Sequence, residues 1–166
     1  MTNKYLGLNG TVVTQTTPAV VGGSGSAGQI PALNSSGVFD STMMPPGVGA
    51  DQVYLLASEA ISAGAMVNVW NNSGTANARN ADQTATGKAP TGFVTSSLAS
   101  AASGNVIMSG IVTGLTGLTP GSIYYLGTAG TITLTPTTAT GNVLWIVGQA
   151  LSATTLQFQP EFVCVC

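Results

Sequence analysis

The sequence predicts an all-β protein, with a compact β-barrel or β-sandwich body at 51–166 and an extended, mostly irregular N-terminal arm at 1–50. Three observations predict it. After Asp51 the apolar runs are short and regularly punctuated by Gly, Pro, Asn and Ser, as in sandwiches and barrels. No window sustains a 3.6-residue period, and the abundance of Gly, Thr, Val and Asn leaves helix little foothold. Before Asp51, breakers dominate: Gly22-Gly23-Ser24-Gly25-Ser26-Ala27-Gly28, then Pro31, Pro45, Pro46 and Gly47. With 166 residues the chain has length for one core plus appendages.

In the arm, the Gly/Ser stretch reads as a flexible hinge. It is followed by spaced apolar residues that a solvated spacer would not need: Ile30, Leu33, Val38, Phe39, Met43 and Met44. Asp40 or Ser41 is placed to cap one helical turn through Thr42-Met43-Met44, which Pro45 then stops. The product is a small apolar peg. Folding back on its own domain and docking on another chain are both open to it, and the hinge favours docking.

The body divides into candidate strands at 52–58, 65–70, 76–80, 91–98, 104–113, 122–127, 131–136, 142–150 and 154–159. In Ala65-Met66-Val67-Asn68-Val69-Trp70 the odd positions share one face and the even positions the other, which suits one buried and one mixed face. Asn71-Asn72-Ser73-Gly74 supplies the left-handed backbone a turn needs. The clearest hairpin runs from Ser122 to Leu126, turns through Gly127-Thr128-Ala129-Gly130, and returns from Thr131 to Thr135. No fixed-period repeat is visible, which disfavours a solenoid or propeller.

Composition narrows the chemistry. Only 5% of residues are charged, and the formal net charge of -2 is too weak for a phosphate-tracking surface, so no nucleic-acid partner is expected. The mean hydropathy is +0.38, yet no stretch approaches the roughly 20 apolar residues of a spanning helix, so no membrane partner is expected either. The start of the chain lacks a continuous apolar stretch, which leads to the expectation of a soluble product made in the cytoplasm. Charge this sparse gives a lone monomer little electrostatic protection from association.

Histidine is absent, which removes the commonest general base and metal ligand and makes a Ser-His-Asp arrangement impossible. Asp40, Asp51, Glu59, Asp82 and Glu161 are scattered singly, with no pair set on one strand face as a glycosidase needs. A Ser-Lys pair would have to use Lys4 or Lys88, neither in a motif, and the glycine stretch lacks the lysine of a phosphate loop. No enzyme, cofactor or metal is therefore expected. Cys164 and Cys166 fall on one face of an extended strand, about 6–7 Å apart by the strand rise. They read as reduced small hydrophobes, intersubunit bridges or a shared metal site, the first favoured by a cytoplasmic origin. Thr131, Thr133 and Thr135 share a strand face, as ordinary β-branched preference explains. Trp70, Tyr124, Tyr125 and Trp145 suit a core or an interface, with stacking on a sugar as the lesser reading.

The segment from Gly28 to Pro45 resembles one found in structural proteins of tailed bacteriophages. The likeness continues through Ala60–Asn71, Ala89–Val94, Gly114–Gly121 leading into Tyr124-Tyr125-Leu126, and Val147–Leu156. It is similar to head decoration (cement) proteins and also to β-rich modules of phage fibres. The resemblance implies a homotrimer on the capsid exterior of a virion, bound to the major capsid protein through the arm, with Ile30, Leu33, Val38, Phe39, Met43 and Met44 as anchors. The alternative it leaves is a tail or head fibre component that attaches to the host surface. The chain departs from the pattern at Asn34, where an acidic residue is usual, at Val38, where a charged one is, and in its Cys-terminated tail.

Overall fold

The computed structural model of the chain describes residues 5–9, 12–16, 30–33, 37, 39 and 51–166. The chain divides into two compact units, Met1–Gly49 and Ala50–Cys166. In the first, β1 (Tyr5–Asn9) and β2 (Val12–Thr16) pair antiparallel, with Tyr5 opposite Thr16 and Asn9 opposite Val12. The sequence reading marks no strand there. The helical turn expected around Thr42-Met43-Met44 lies outside the described residues.

The second unit is all-β and contains a closed barrel together with a curled half-barrel sheet. The barrel is built from β3 (Gln52–Ala57), β4 (Met66–Asn72), β5 (Thr75–Asn80), β6 (Gly92–Phe93) and β7 (Ser103–Ile107), in the order β3-β5-β4-β6-β7. All neighbours run antiparallel except β3 and β5, which pair in parallel only at Leu56–Asn77 and Ala57–Ala78. The second sheet takes β8 (Gly110–Val112), β9 (Ile123–Leu126), β10 (Ile132–Thr133), β11 (Val143–Ala150) and β12 (Leu156–Val165), in the order β10-β9-β11-β12-β8.

The alternation expected in β4 exists, but both of its faces are buried at the start. Val67 points into the barrel with Leu55, Ala57, Ala78 and Val106, whereas Met66 points out of it toward Phe93, Leu126, Val147 and Phe158. Thus one strand serves two cores. Phe93 meets Phe158 edge-on with ring centroids 5.4 Å apart, linking β6 to β12 across the interface of barrel and sheet. Main-chain bonds lock the same seam: Met66 N–H donates to Gly130 O at 2.8 Å, and Gly130 N–H donates to Ala81 O at 2.7 Å. Gly130 has φ +77, and a Cβ there would lie 2.9 Å from Ala65 Cβ and from Met66 O, so only glycine fits the approach.

Four expected strands are corrected in extent: the run 131–136 reduces to Ile132–Thr133, where β10 pairs with β9, and three others differ as well. The run 91–98 reduces to Gly92–Phe93, with Leu98 in an isolated bridge to Ile61, because the chain bends away from β4 at Thr95-Ser96. The run 104–113 is two strands rather than one: Gly110 adopts φ +122 and carries the chain from β7 of the barrel into β8 of the other sheet. The run 154–159 continues to Val165, since β11 keeps offering partners as far as Val143.

Candidate functional site

Of the six expected anchors, Ile30, Leu33 and Phe39 are described, and all three are about half exposed. Val38, Met43 and Met44 lie outside the described residues.

The body offers one broad cleft, about 510 Å³, between the Ser62–Ala65 loop, the Gly114–Leu118 loop and the β9–β10 hairpin. Its apolar lining includes Leu115, Ile132 and Leu134. Tyr124 reaches it, but the ring is buried and its hydroxyl accepts a 2.9 Å bond from Thr119 N–H. Its lining residues include no carboxylate, cation or thiol, and its polar side chains are the hydroxyls of Ser62, Thr116, Tyr124, Thr131 and Thr133.

Glu59, Asp82 and Arg79 are engaged in structural hydrogen bonds. Glu59 accepts from the Asn80 main chain at 2.7 Å and from its side-chain amide at 3.0 Å, which ties the loop after β3 to β5. Asp82 accepts from Thr84 N–H at 2.9 Å, Thr84 hydroxyl at 2.8 Å and Ala129 N–H at 3.2 Å. Partial burial pushes the Asp82 carboxyl up, but the Thr84 and Ala129 bonds with the Lys88 charge outweigh it, leaving the carboxyl below its ordinary value. Arg79 is likewise engaged: Nε donates to buried Asn68 Oδ1 at 2.9 Å, Nη2 donates to Gly87 O at 2.7 Å, and the guanidinium lies 4.6 Å from the centre of the Trp70 ring. Asn68 completes the cluster by donating to Ala89 O at 2.9 Å. This network pins the 81–91 loop on the barrel.

The aromatics read as core or interface residues are mostly used inside the protein. Tyr124 is core, Trp145 packs half-buried against the second core and meets Phe162 edge-on at 5.4 Å, and Trp70 donates from Nε1 to Ser58 Oγ at 3.2 Å. A shallow recess of about 360 Å³ remains beside Trp70, lined also by Val69, Asn71, Gly74 and Ala76. The aromatic most open to solvent in the body is Tyr54, 70% exposed on β3. Its place at an outward position of a strand with buried Leu55 and Ala57 was the signal available in the sequence.

The three threonines form no array: Thr131 hydroxyl donates to Thr128 O, and Thr133 hydroxyl accepts from Thr135 N–H, both local turn bonds. Both cysteines are free, Cys164 exposed and Cys166 half-buried, with the Cys166 thiol donating to Thr137 O at 3.3 Å. Lost hydration, and then the neighbouring Cys164, push the Cys166 thiol above its ordinary range. Among the described residues no cluster of three or more metal-ligating side chains occurs, and no helix is long and apolar enough to cross a membrane.

No protein-family model, no curated protein and no solved structure matches the chain.

Proposed function

We propose that the chain is a non-enzymatic virion structural protein, a capsid decoration or cement protein that binds the outside of a tailed-phage head across subunit seams and stabilises it. The observation that carries the reading is the exposure of Ile30, Leu33 and Phe39 on the segment whose sequence resembles phage structural proteins. An apolar segment open to water, N-terminal to a body in which Glu59, Asp82 and Arg79 are held in structural hydrogen bonds, suits binding rather than turnover. An arm spreads contact over a wide surface at the cost of ordering on docking. Many copies on a lattice multiply a weak contact by geometry. The major capsid protein is the partner this reading requires, and further copies of the chain, as a trimer, complete the assembly.

The test is cosedimentation of the full chain and of a 51–166 fragment with expanded, empty heads. The full chain is expected to pellet with heads and protect them from thermal disruption, while the fragment stays in solution. Full-affinity binding by the fragment would overturn the role given to the arm, and no binding by the full chain would overturn the capsid reading.

The recess beside Trp70 favours a second reading, a fibre component that touches host-surface carbohydrate. Glycan binding by the 51–166 fragment, lost in Trp70→Ala, is its expected outcome.

A further inference from the structure

Cys164 and Cys166 are both free and take no part in either core. Cys164 is exposed and stands opposite Leu144 on β12, and Cys166 follows two residues on, half-buried. The antiparallel pairing that holds β12 to β11 carries on past Val165: Cys166 N–H donates to Asn142 O at 2.9 Å, and Gly141 N–H donates to Cys166 O at 2.8 Å. Both residues are therefore fixed on one extended segment, and a spacing of two puts their side chains on the same side of it. The Cys166 thiol is held further by its 3.3 Å bond to Thr137 O, in a turn that is itself tied by Asn142 Nδ2 donating to Thr137 Oγ1 at 2.9 Å.

Two properties decide what such a pair can do. The first is distance. Residues two apart on an extended strand have their Cα and Cβ atoms about 6–7 Å apart. A disulfide needs the Cβ atoms at about 3.5–4.5 Å, so the two sulfurs cannot join directly without breaking the strand and its bonds to Gly141 and Asn142. An ion bonded to both asks for less. At a metal–sulfur length of about 2.3 Å the sulfurs stand roughly 4–4.6 Å apart, and rotation about the two Cα–Cβ bonds covers the difference. The second property is charge. Lost hydration, and after it the neighbouring Cys164 thiol, hold the Cys166 thiol above its ordinary range, so two thiolates side by side repel. A cation between them turns that repulsion into attraction.

We propose that Cys164 and Cys166 form a two-thiolate site for a soft, thiophilic cation of the copper(I) type. The class of ion follows from the ligand count. Among the described residues no cluster of three or more metal-ligating side chains occurs, so the pair has no third such ligand there. A structural zinc takes four ligands, and calcium or magnesium takes six or more oxygens; a pair of sulfurs satisfies none of them. Thiolate softness selects copper(I), which two sulfurs in line can saturate. Binding is an exchange without change of oxidation state. Two S–H bonds break, two copper–sulfur bonds form, and both protons leave to solvent, the Cys166 proton giving up its bond to Thr137 O.

The site needs neither a capsid nor a second chain, so its test is separate from that of the capsid reading. The full-length chain, fully reduced and kept from oxygen, is titrated against copper(I) held by the chromophoric chelator bicinchoninate. It is expected to withdraw one copper per chain. Cys164→Ser and Cys166→Ser are each expected to lower the affinity by about 100-fold or more, beyond the loss typical of an outer-shell partner, with unchanged far-UV circular dichroism. Half a copper per chain would mean that two chains share the ion and would overturn the proposal. Serine variants that withdraw copper like wild type, or a wild-type chain that leaves all copper on the chelator, would overturn it equally.

A second measurement needs no variant. Phenylarsine oxide joins two thiols that lie within reach of one arsenic atom, its As=O oxygen leaving as water with the two thiol protons. The intact mass of the wild-type chain is expected to show one arsenical per chain, with both cysteines then closed to maleimide. A chain that takes up none, or takes it up only as a two-chain adduct, would overturn the proposal.

Discussion

Met66 and Val67 are adjacent in sequence and fully buried, yet they serve different cores, because successive side chains of a strand leave on opposite faces. Phe93 is the counterpart of Met66 on β6, and its edge-on contact with Phe158 joins the two sheets. Phe93→Ala is expected to cost about 3–5 kcal/mol, lost transfer energy plus the cavity left behind, measured by urea unfolding. Asp82 gives a prediction in pH. Its carboxyl lies lower in the folded chain than its ordinary 3.8, so the folded state binds the proton less readily than the unfolded state. The stabilisation is therefore complete above the unfolded value and is lost as pH falls through the lowered folded value. Melts of wild type and Asp82→Asn from about pH 6 to about pH 2 should show the wild-type advantage shrinking toward the acid end. An advantage constant over that range would mean that Asp82 acts as a neutral hydrogen-bond acceptor.

At the scale of elements, glycines with positive φ decide where strands bend and which sheet they enter. Gly110 opens β8 with φ +122, and Gly148 sits at a register shift of β11 against β12 with φ +156, where a Cβ would run into the Gln157 main chain. Gly148→Ala is expected to destabilise by about 2–4 kcal/mol, since both the backbone angle and the neighbouring strand would have to give. A thermal melt within a degree of wild type would show that β11 can shed this bulge. The length of β12 has a similar origin: it extends through Pro160 because its hydrogen bonds are needed chiefly on the β11 side.

For the whole molecule, the division at Gly49/Ala50 predicts that a 51–166 fragment folds unaided. Its far-UV spectrum should remain that of a β protein and its unfolding should stay cooperative by both heat and urea. Loss of the cooperative transition in the fragment would mean that the first unit is part of the fold rather than an attachment to it.

The all-β class was legible in the sequence because strand alternation and turn chemistry are local properties: the Ser122–Leu126 hairpin and the β4 face pattern are written in neighbouring residues. The dearth of charge and the absence of histidine were equally plain. Apolar residues at 30, 33 and 39 could be named as surplus to a linker from spacing alone. What the tertiary structure decided is partnership. Whether 104–113 is one strand or two depends on which sheet each half joins, and whether Tyr124 is a core residue or a surface ring depends on what packs over it. Which residues share the outer face of the second sheet could not be seen until register set Tyr125 opposite Ile146 and put Gln149 and Gln157 between Ile123 and Ile111. Those are contacts between residues far apart along the chain, which local pattern does not encode and packing does.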